Sequence, residues 1–201
     1  GTGKLILEGG AGKTFTDSNT VKQDLGKVQI GTSPGTTNLA SDMAATTLTI
    51  PTTDRLNTKG YDVTVSGAFD GQGSCTLDMS DTAAGGYEGD GSILAIGGNY
   101  TMSGSCTFTQ ETNASRESQI LLNGAAAQTA TTGGLSFQKL ELNNTGANGS
   151  TDNVTISGVL DVNSNLDITN GDLELATNDP NVTVAGNVAI GSSAFVTKAD
   201  N

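Results

Sequence analysis

The stretch SGSCTFTQET at 103–112 nearly repeats QGSCTLDMSD at 72–81, and the echo extends well beyond the two cysteines it contains. VSGAFDGQGSCTL (65–77) and IGGNYTMSGSCTF (96–108) superpose with a single offset, which sets Gly67 on Gly98, Phe69 on Tyr100, Gly73 on Gly104, Cys75 on Cys106 and Leu77 on Phe108. Self-similarity of this kind marks a repeat architecture, in which a unit buries its apolar face against its neighbours in the stack. The last fifty residues expose the fine structure of the unit. VTISG, VLDVNS, NLDITN, GDLELATNDPN, VTVAGN, VAIGSS and AFVTK are short alternating runs, most of them closed by Gly, Asn, Ser or Asp. Their leading hydrophobes, Val154, Leu160, Leu166, Leu173, Val182, Val188 and Phe195, recur every six to nine positions.

Strands so short and so closely spaced do not form long hairpins. Three of them make a coil of roughly 20 residues, each coil pairing in parallel with those above and below. At about 4.8 Å per coil the chain becomes a rod on the order of 40 Å long. Inward Val, Leu and Ile stack into dry ladders, while Thr, Asp, Asn and Glu take the outward positions. The expected fold is therefore an all-β solenoid, a parallel β-helix running as one elongated body over 1–201. Longer echoes divide it into two diverged units, about 1–90 and 91–201. LILEGGAGKT (5–14) answers ILLNGAAAQT (120–129), KVQI (27–30) answers KLEL (139–142), and VTVSG (63–67) answers VTVAG (182–186). SDTAAGGYEGDGS (80–92) and NNTGANGSTDN (143–153) are expected as loops thrown out from one corner. A Greek-key β-sandwich is the rival fold, although its strands usually run longer.

Composition agrees with a narrow core. Hydrophobic residues are 34% of the chain, Trp is absent, and five Phe and three Tyr are too few to fill a thick globular interior, whereas 28 Gly suit many tight turns. Nine basic residues against 21 acidic ones give a net charge of -12, which repels phosphate backbones and anionic lipid. Neither nucleic acid nor a membrane surface is an expected partner, and no apolar run approaches the ~20 residues of a membrane helix. The chain starts at GTGKLILEGG with neither Met nor a signal peptide, and reads as a processed product or a piece of something longer.

GNYTMSGSCTFTQETNASRESQILLNGAAAQTATTGGLSFQKLELNNTG, followed by NVTISGVLDVNSNLDITNGDLEL, resembles the repeat of large secreted, adhesin-like surface proteins of bacteria. There a Gly-aromatic strand, a Gly-x-Phe strand, an apolar strand ending in Asn-Gly, a Phe-x-x-Leu strand and a Leu-x-Leu-x-x-Gly strand follow in order. Residues 98–175 match that order closely and 1–79 loosely. The resemblance implies a right-handed parallel β-helix on an extracellular surface, and it transfers no catalytic residue.

The chemistry of the chain is narrow. With no His anywhere, Ser-His-Asp and Cys-His nucleophiles, His-ligated zinc and the usual general base near neutral pH are excluded. GGAGKT (9–14) resembles a nucleotide loop only in part, because Leu7 stands where that motif needs Gly and FTDSNT is no helix; a turn between strands is the better reading. Carboxylates occur singly and Arg55 and Arg116 stand alone, so no catalytic residue and no cofactor is assigned. Glu88 and Asp90 in GYEGDGS, and the stretch from Asp167 to Asp179, are weak calcium candidates without EF-hand spacing. Asn-x-Ser/Thr sequons stand at Asn99, Asn113, Asn143, Asn148, Asn153 and Asn181, with loop Asn148 the expected acceptor if the source glycosylates. Cys75 and Cys106 hold equivalent positions of the 31-residue echo. On adjacent coils their Cα atoms would lie about 4.8 Å apart, inside the disulfide window of roughly 4.4–6.8 Å. A staple between coils and a pair of inward thiols both remain open.

The functional expectation is a non-enzymatic extracellular structural protein: a stalk, an adhesive segment or a fibre-forming subunit of a bacterial cell surface. Solenoid ends expose unpaired strand edges unless capped, and no cap is evident at either terminus. End-to-end self-association or continuation of a longer chain is therefore expected. The alternatives are a β-helix that binds or cleaves surface glycans, and a virus tail spike.

Overall fold

A computed structural model of the chain describes residues 3–8, 12–31, 34–80, 91–147, 151–175 and 180–198. Among these residues there is no helix, and the strands follow one another around a triangular coil. The first coil contains β1 (Leu5–Leu7) and β2 (Lys13–Phe15), and the second β3 (Lys27–Ile30), β4 (Thr36–Leu39) and β5 (Met43–Ala45). Next come β6 (Thr47–Ile50), β7 (Arg55–Asn57) and β8 (Val63–Val65), then β9 (Phe69–Gly71), β10 (Thr76–Met79) and β11 (Ile93–Ile96). The fifth coil holds β12 (Tyr100–Met102), β13 (Thr107–Gln110) and β14 (Gln119–Leu122), and the sixth β15 (Gln128–Thr131) and β16 (Lys139–Asn143). β17 (Asn153–Ser157), β18 (Leu160–Val162) and β19 (Leu166–Glu174) follow, and β20 (Val182–Val184), β21 (Val188–Ile190) and β22 (Ala194–Thr197) close the stack.

The first face is the ladder β1-β3-β6-β9-β12-β15-β17, continued by the second half of β19 and by β22. The second is β2-β4-β7-β10-β13 with β18-β20 further along, and the third is β5-β8-β11-β14-β16, the first half of β19, and β21. Every pairing is parallel. The chain is thus an all-β parallel β-solenoid of about 7 turns. A Greek-key sandwich is ruled out, since its neighbouring strands run antiparallel. At ~4.8 Å per turn the stack is on the order of 35 Å long.

The 31-residue echo is the ladder register itself. Phe69 pairs with Tyr100, Leu77 with Phe108 and Val65 with Ile96. Gly67 and Gly98 stack at one corner, where Gly98 N–H donates to Gly67 O at 2.9 Å. A Cβ on Gly98 would meet the Gly67 carbonyl carbon at 2.6 Å, so a side chain there would push the two coils apart. A second corner requirement is met in β19, which bends from the third face to the first at Gly171 (φ 82).

The longer echoes do not behave this way. KVQI lies on the first face and KLEL on the third; VTVSG contains β8 on the third face, and VTVAG contains β20 on the second. They repeat a type of strand, not a place in the coil, because an alternating apolar triplet suits any face. Of the two stretches expected as loops from one corner, residues 81–90 and 148–150 lie outside the described residues. One separates β10 from β11, between the second and third faces, and the other separates β16 from β17, between the third and the first.

Inside, apolar residues form one continuous core from Val28 to Ala194. On the first face Val28, Leu48, Phe69, Tyr100, Ala130 and Ile156 follow in register. The small Ala130 above Tyr100 leaves room for Phe137, whose ring meets Tyr100 edge-on at 5.6 Å, while Phe69 stacks on the other side at 5.5 Å. Phe137 itself makes only an isolated bridge to Val162, and no strand pairing joins it to β13. There the Gln110 carboxamide stands in for a peptide group: its Nε2 donates to Ser136 O at 2.9 Å, and its Oε1 accepts from Gln138 N–H at 2.6 Å.

Candidate functional site

Four places in the molecule gather chemistry, and the disulfide is the first. Cys75 and Cys106 precede the paired residues Thr76 and Thr107, so the ladder sets them one above the other. They are joined in a disulfide with Cα atoms 4.6 Å apart, buried beside Met102. The bond ties the fourth coil to the fifth, across a loop of 31 residues.

The second is the corner after the second face, where polar side chains point inward. Thr58 Oγ1 lies 2.6 Å from Ser92 Oγ, and Ser118 Oγ donates to Met79 O at 2.8 Å while accepting from Glu111 N–H at 2.8 Å. Asp78 Oδ1 accepts from Ser80 Oγ at 2.6 Å, and its other oxygen pairs with Arg55 of the coil below. Arg55 stands alone in the sequence but not in the fold, because a parallel coil brings Asp78 to it from 23 residues away. At a different corner, between the first and second faces, Asp54 is 1% exposed, its Oδ1 has no hydrogen-bond partner, and burial pushes its carboxyl up.

The third is a groove of about 420 Å³ at the corner after the second face, lined by Lys22, Ser41, Asp42, Tyr61, Asp62 and Ile93. Its two carboxylates have structural duties. Asp42 Oδ1 accepts from Asp62 N–H at 3.0 Å, and Asp62 Oδ1 accepts from Ile93 N–H at 2.8 Å, so each holds the backbone of the next coil.

Residues singled out in the sequence scatter over the solenoid. Glu88, Asp90 and Asp179, with Tyr87 and Asn148, lie outside the described residues. Lys13 and Thr14 of the partial nucleotide motif sit on strand β2. Asp167 pairs with Lys139 at 3.3 Å. Asp152 and Glu174 approach Asp172, whose carboxyl is pushed up by burial first and then by those two charges. Among the described residues no group of three or more His, Cys, Asp or Glu is arranged to hold a metal ion. Of the aromatics, Tyr100 is buried within the core and Tyr61 packs against it.

The two ends of the stack are the fourth place. Val182, Val188, Ile190 and Val196 continue ladders whose lower members, Leu160, Leu166, Ile168 and Leu173, are at most 2% exposed. With no described coil above them they stand 39–53% exposed. At the opposite end Leu5 is 40% exposed over buried Val28. A strand pairs there on one side only: β1 with β3, β2 with β4, β20 with β18, and β21 and β22 with β19. The sequence pattern did not single out the residues of these end rows. No family model matches the chain, and neither the curated proteins nor the solved structures show significant similarity to it.

Proposed function

We propose that this chain is a non-enzymatic structural segment of an extracellular bacterial surface protein, serving as a stalk, an adhesive spacer or a unit of a fibre. The observation that carries the reading is the unbroken parallel ladder of the first face, which runs from Leu5 to Thr197 over one continuous dry core. Such a body transmits load along its axis through backbone hydrogen bonds, and its corners carry the polar groups that meet partners. The buried disulfide supports an oxidising compartment, and the acidic surface supports solubility in one. The resemblance of 98–175 to adhesin-like repeats points to the same setting.

Two measurements test this. Antibody raised against the purified chain should label intact source cells, and labelling only after lysis would refute the extracellular assignment. On a glycan array the chain should bind no sugar with sub-millimolar affinity and release no reducing ends. Specific binding abolished by Tyr61→Ala would instead establish a glycan-binding solenoid, the reading favoured by the corner groove around Tyr61, Asp42 and Asp62.

A further inference from the structure

The apolar rows at the two ends differ in their electrical surroundings. Residues 1–31 hold four of the nine basic residues, Lys4, Lys13, Lys22 and Lys27, but only three of the 21 acidic ones. This end is near neutral at +1, against -13 for residues 32–201. The opposite end, 166–201, has Asp167, Asp172, Glu174, Asp179 and Asp200 against the single Lys198. Joining two copies through this acidic end would bring like charges within about a Debye length, ~8 Å at physiological salt, and like-charge contact suppresses such pairing. Joining the acidic end of one copy to the near-neutral, lysine-bearing end of another removes that repulsion.

Strand direction favours the same arrangement. All strands run the same way around the coil, so stacking opposite ends continues the ladders in parallel, as every existing pair does. The rows also correspond in kind. Leu5, Leu7 and Phe15 are the inward residues of one end, and Val182, Ile190 and Val196 those of the other.

We infer that the exposed row of β20, β21 and β22 is a docking surface for the first coil of a second copy of this chain, giving a heterologous, head-to-tail contact. A contact of that class does not close on itself, and repetition builds a filament. Unpaired backbone groups of the edge strands supply hydrogen bonds, and the apolar rows supply the burial. This inference rests on the structural reading above and specifies its partner.

The test is sedimentation velocity of the purified 201-residue chain over a wide concentration range, with Ile190→Asp and Leu5→Asp as end-specific variants. Both positions are exposed, so both variants should keep the wild-type circular dichroism, and should melt as the wild type does at concentrations low enough for all three to be monomeric. The wild type should form concentration-dependent oligomers. Each variant alone should remain monomeric, with the apparent dissociation constant raised at least about tenfold. An equimolar mixture of the two should give dimers and nothing larger, because each contributes one intact end. A wild type that stays monomeric at every concentration overturns the inference, as does association that survives Leu5→Asp but not Ile190→Asp, which marks a symmetric contact between acidic ends. Association surviving both variants places the contact elsewhere and also overturns it. A monomeric chain that still labels intact cells and binds no glycan refutes the head-to-tail contact alone, whereas glycan turnover refutes the structural reading whatever the oligomeric state.

Discussion

The tripeptide Val-Thr-Val occurs twice, as β8 at 63–65 and as β20 at 182–184, and both copies are three-residue strands. In β8 the two valines are 1% and 0% exposed, because β5 lies below and β11 above. In β20, Val182 is 39% exposed, because β18 lies below and nothing described lies above. Local sequence and local conformation are the same; the two copies lie on different faces, and β8 has a described strand on both sides while β20 has one on a single side. The comparison teaches that burial in a solenoid is conferred by the adjacent turn, so an end coil is apolar without being part of a closed core.

The sharpest way to break the comparison is to place a charge in both copies. Val63→Asp buries an ionisable group without a partner and should lower stability by more than about 4 kcal/mol, or prevent folding. Val182→Asp keeps its carboxylate in water and should cost less than about 1 kcal/mol. Urea unfolding of the chain at concentrations where it is monomeric, followed by circular dichroism, measures both, and equal losses would mean that the end coil is covered within a single copy.

Next in size is the staple of the middle coils. Reducing Cys75–Cys106 frees a 31-residue loop, and chain entropy sets the loss at about 3–4 kcal/mol. Hydrogen exchange should rise in the fourth and fifth coils, while β20 to β22 exchange as before. Uniform acceleration along the chain would show that the stack unfolds as a single unit.

Tyr100 separates burial from hydrogen bonding. Its hydroxyl is buried without a partner, so Tyr100→Phe should be neutral or stabilising by about 1 kcal/mol. Burial also pushes its phenol up from an ordinary value near 10. The unfolded chain therefore ionises first, and stability that is intact below about pH 10 falls as pH rises beyond it. In Tyr100→Phe that contribution to the alkaline slope should vanish, and an unchanged slope would show that other groups cause it.

The smallest effect lies beside the open end. Asp172 has a raised carboxyl, so its contribution is fully present below the ordinary carboxylate value of about 3.8 and is lost as pH rises through its higher folded value. Asp172→Asn should stabilise at neutral pH by no more than about 1 kcal/mol, since the residue is only partly buried although its Oδ1 has no hydrogen-bond partner. Thermal melts at pH 4 and pH 7 should differ less for the variant than for the parent.

Some of this was readable in one dimension. The single-offset echo of 65–77 in 96–108 carried the register of β9 with β12 and of β10 with β13, because identical spacing between Gly, aromatic and Cys positions is what stacked parallel strands require. The spacing of Val154, Leu160, Leu166, Leu173 and Val182 marked successive strands for the same reason. Faces and corners were not readable. KVQI and KLEL look alike, yet they sit on different faces, and Arg55 meets an Asp that no sequence distance points to. Gln110, completing an interrupted ladder with its own amide, had no signal beyond being a Gln.

The sequence by itself determined the class of fold. Short alternating strands with glycine-rich turns and few aromatics bury their apolar residues readily only by stacking coil on coil. Tertiary structure decided which strand lies on which face, which acid meets which base, and which valines remain exposed. Those outcomes depend on the neighbour one turn away, about 4.8 Å in space but 20 to 31 residues along the chain in coils such as those of Val28 and Phe69. No local pattern encodes that neighbour's identity.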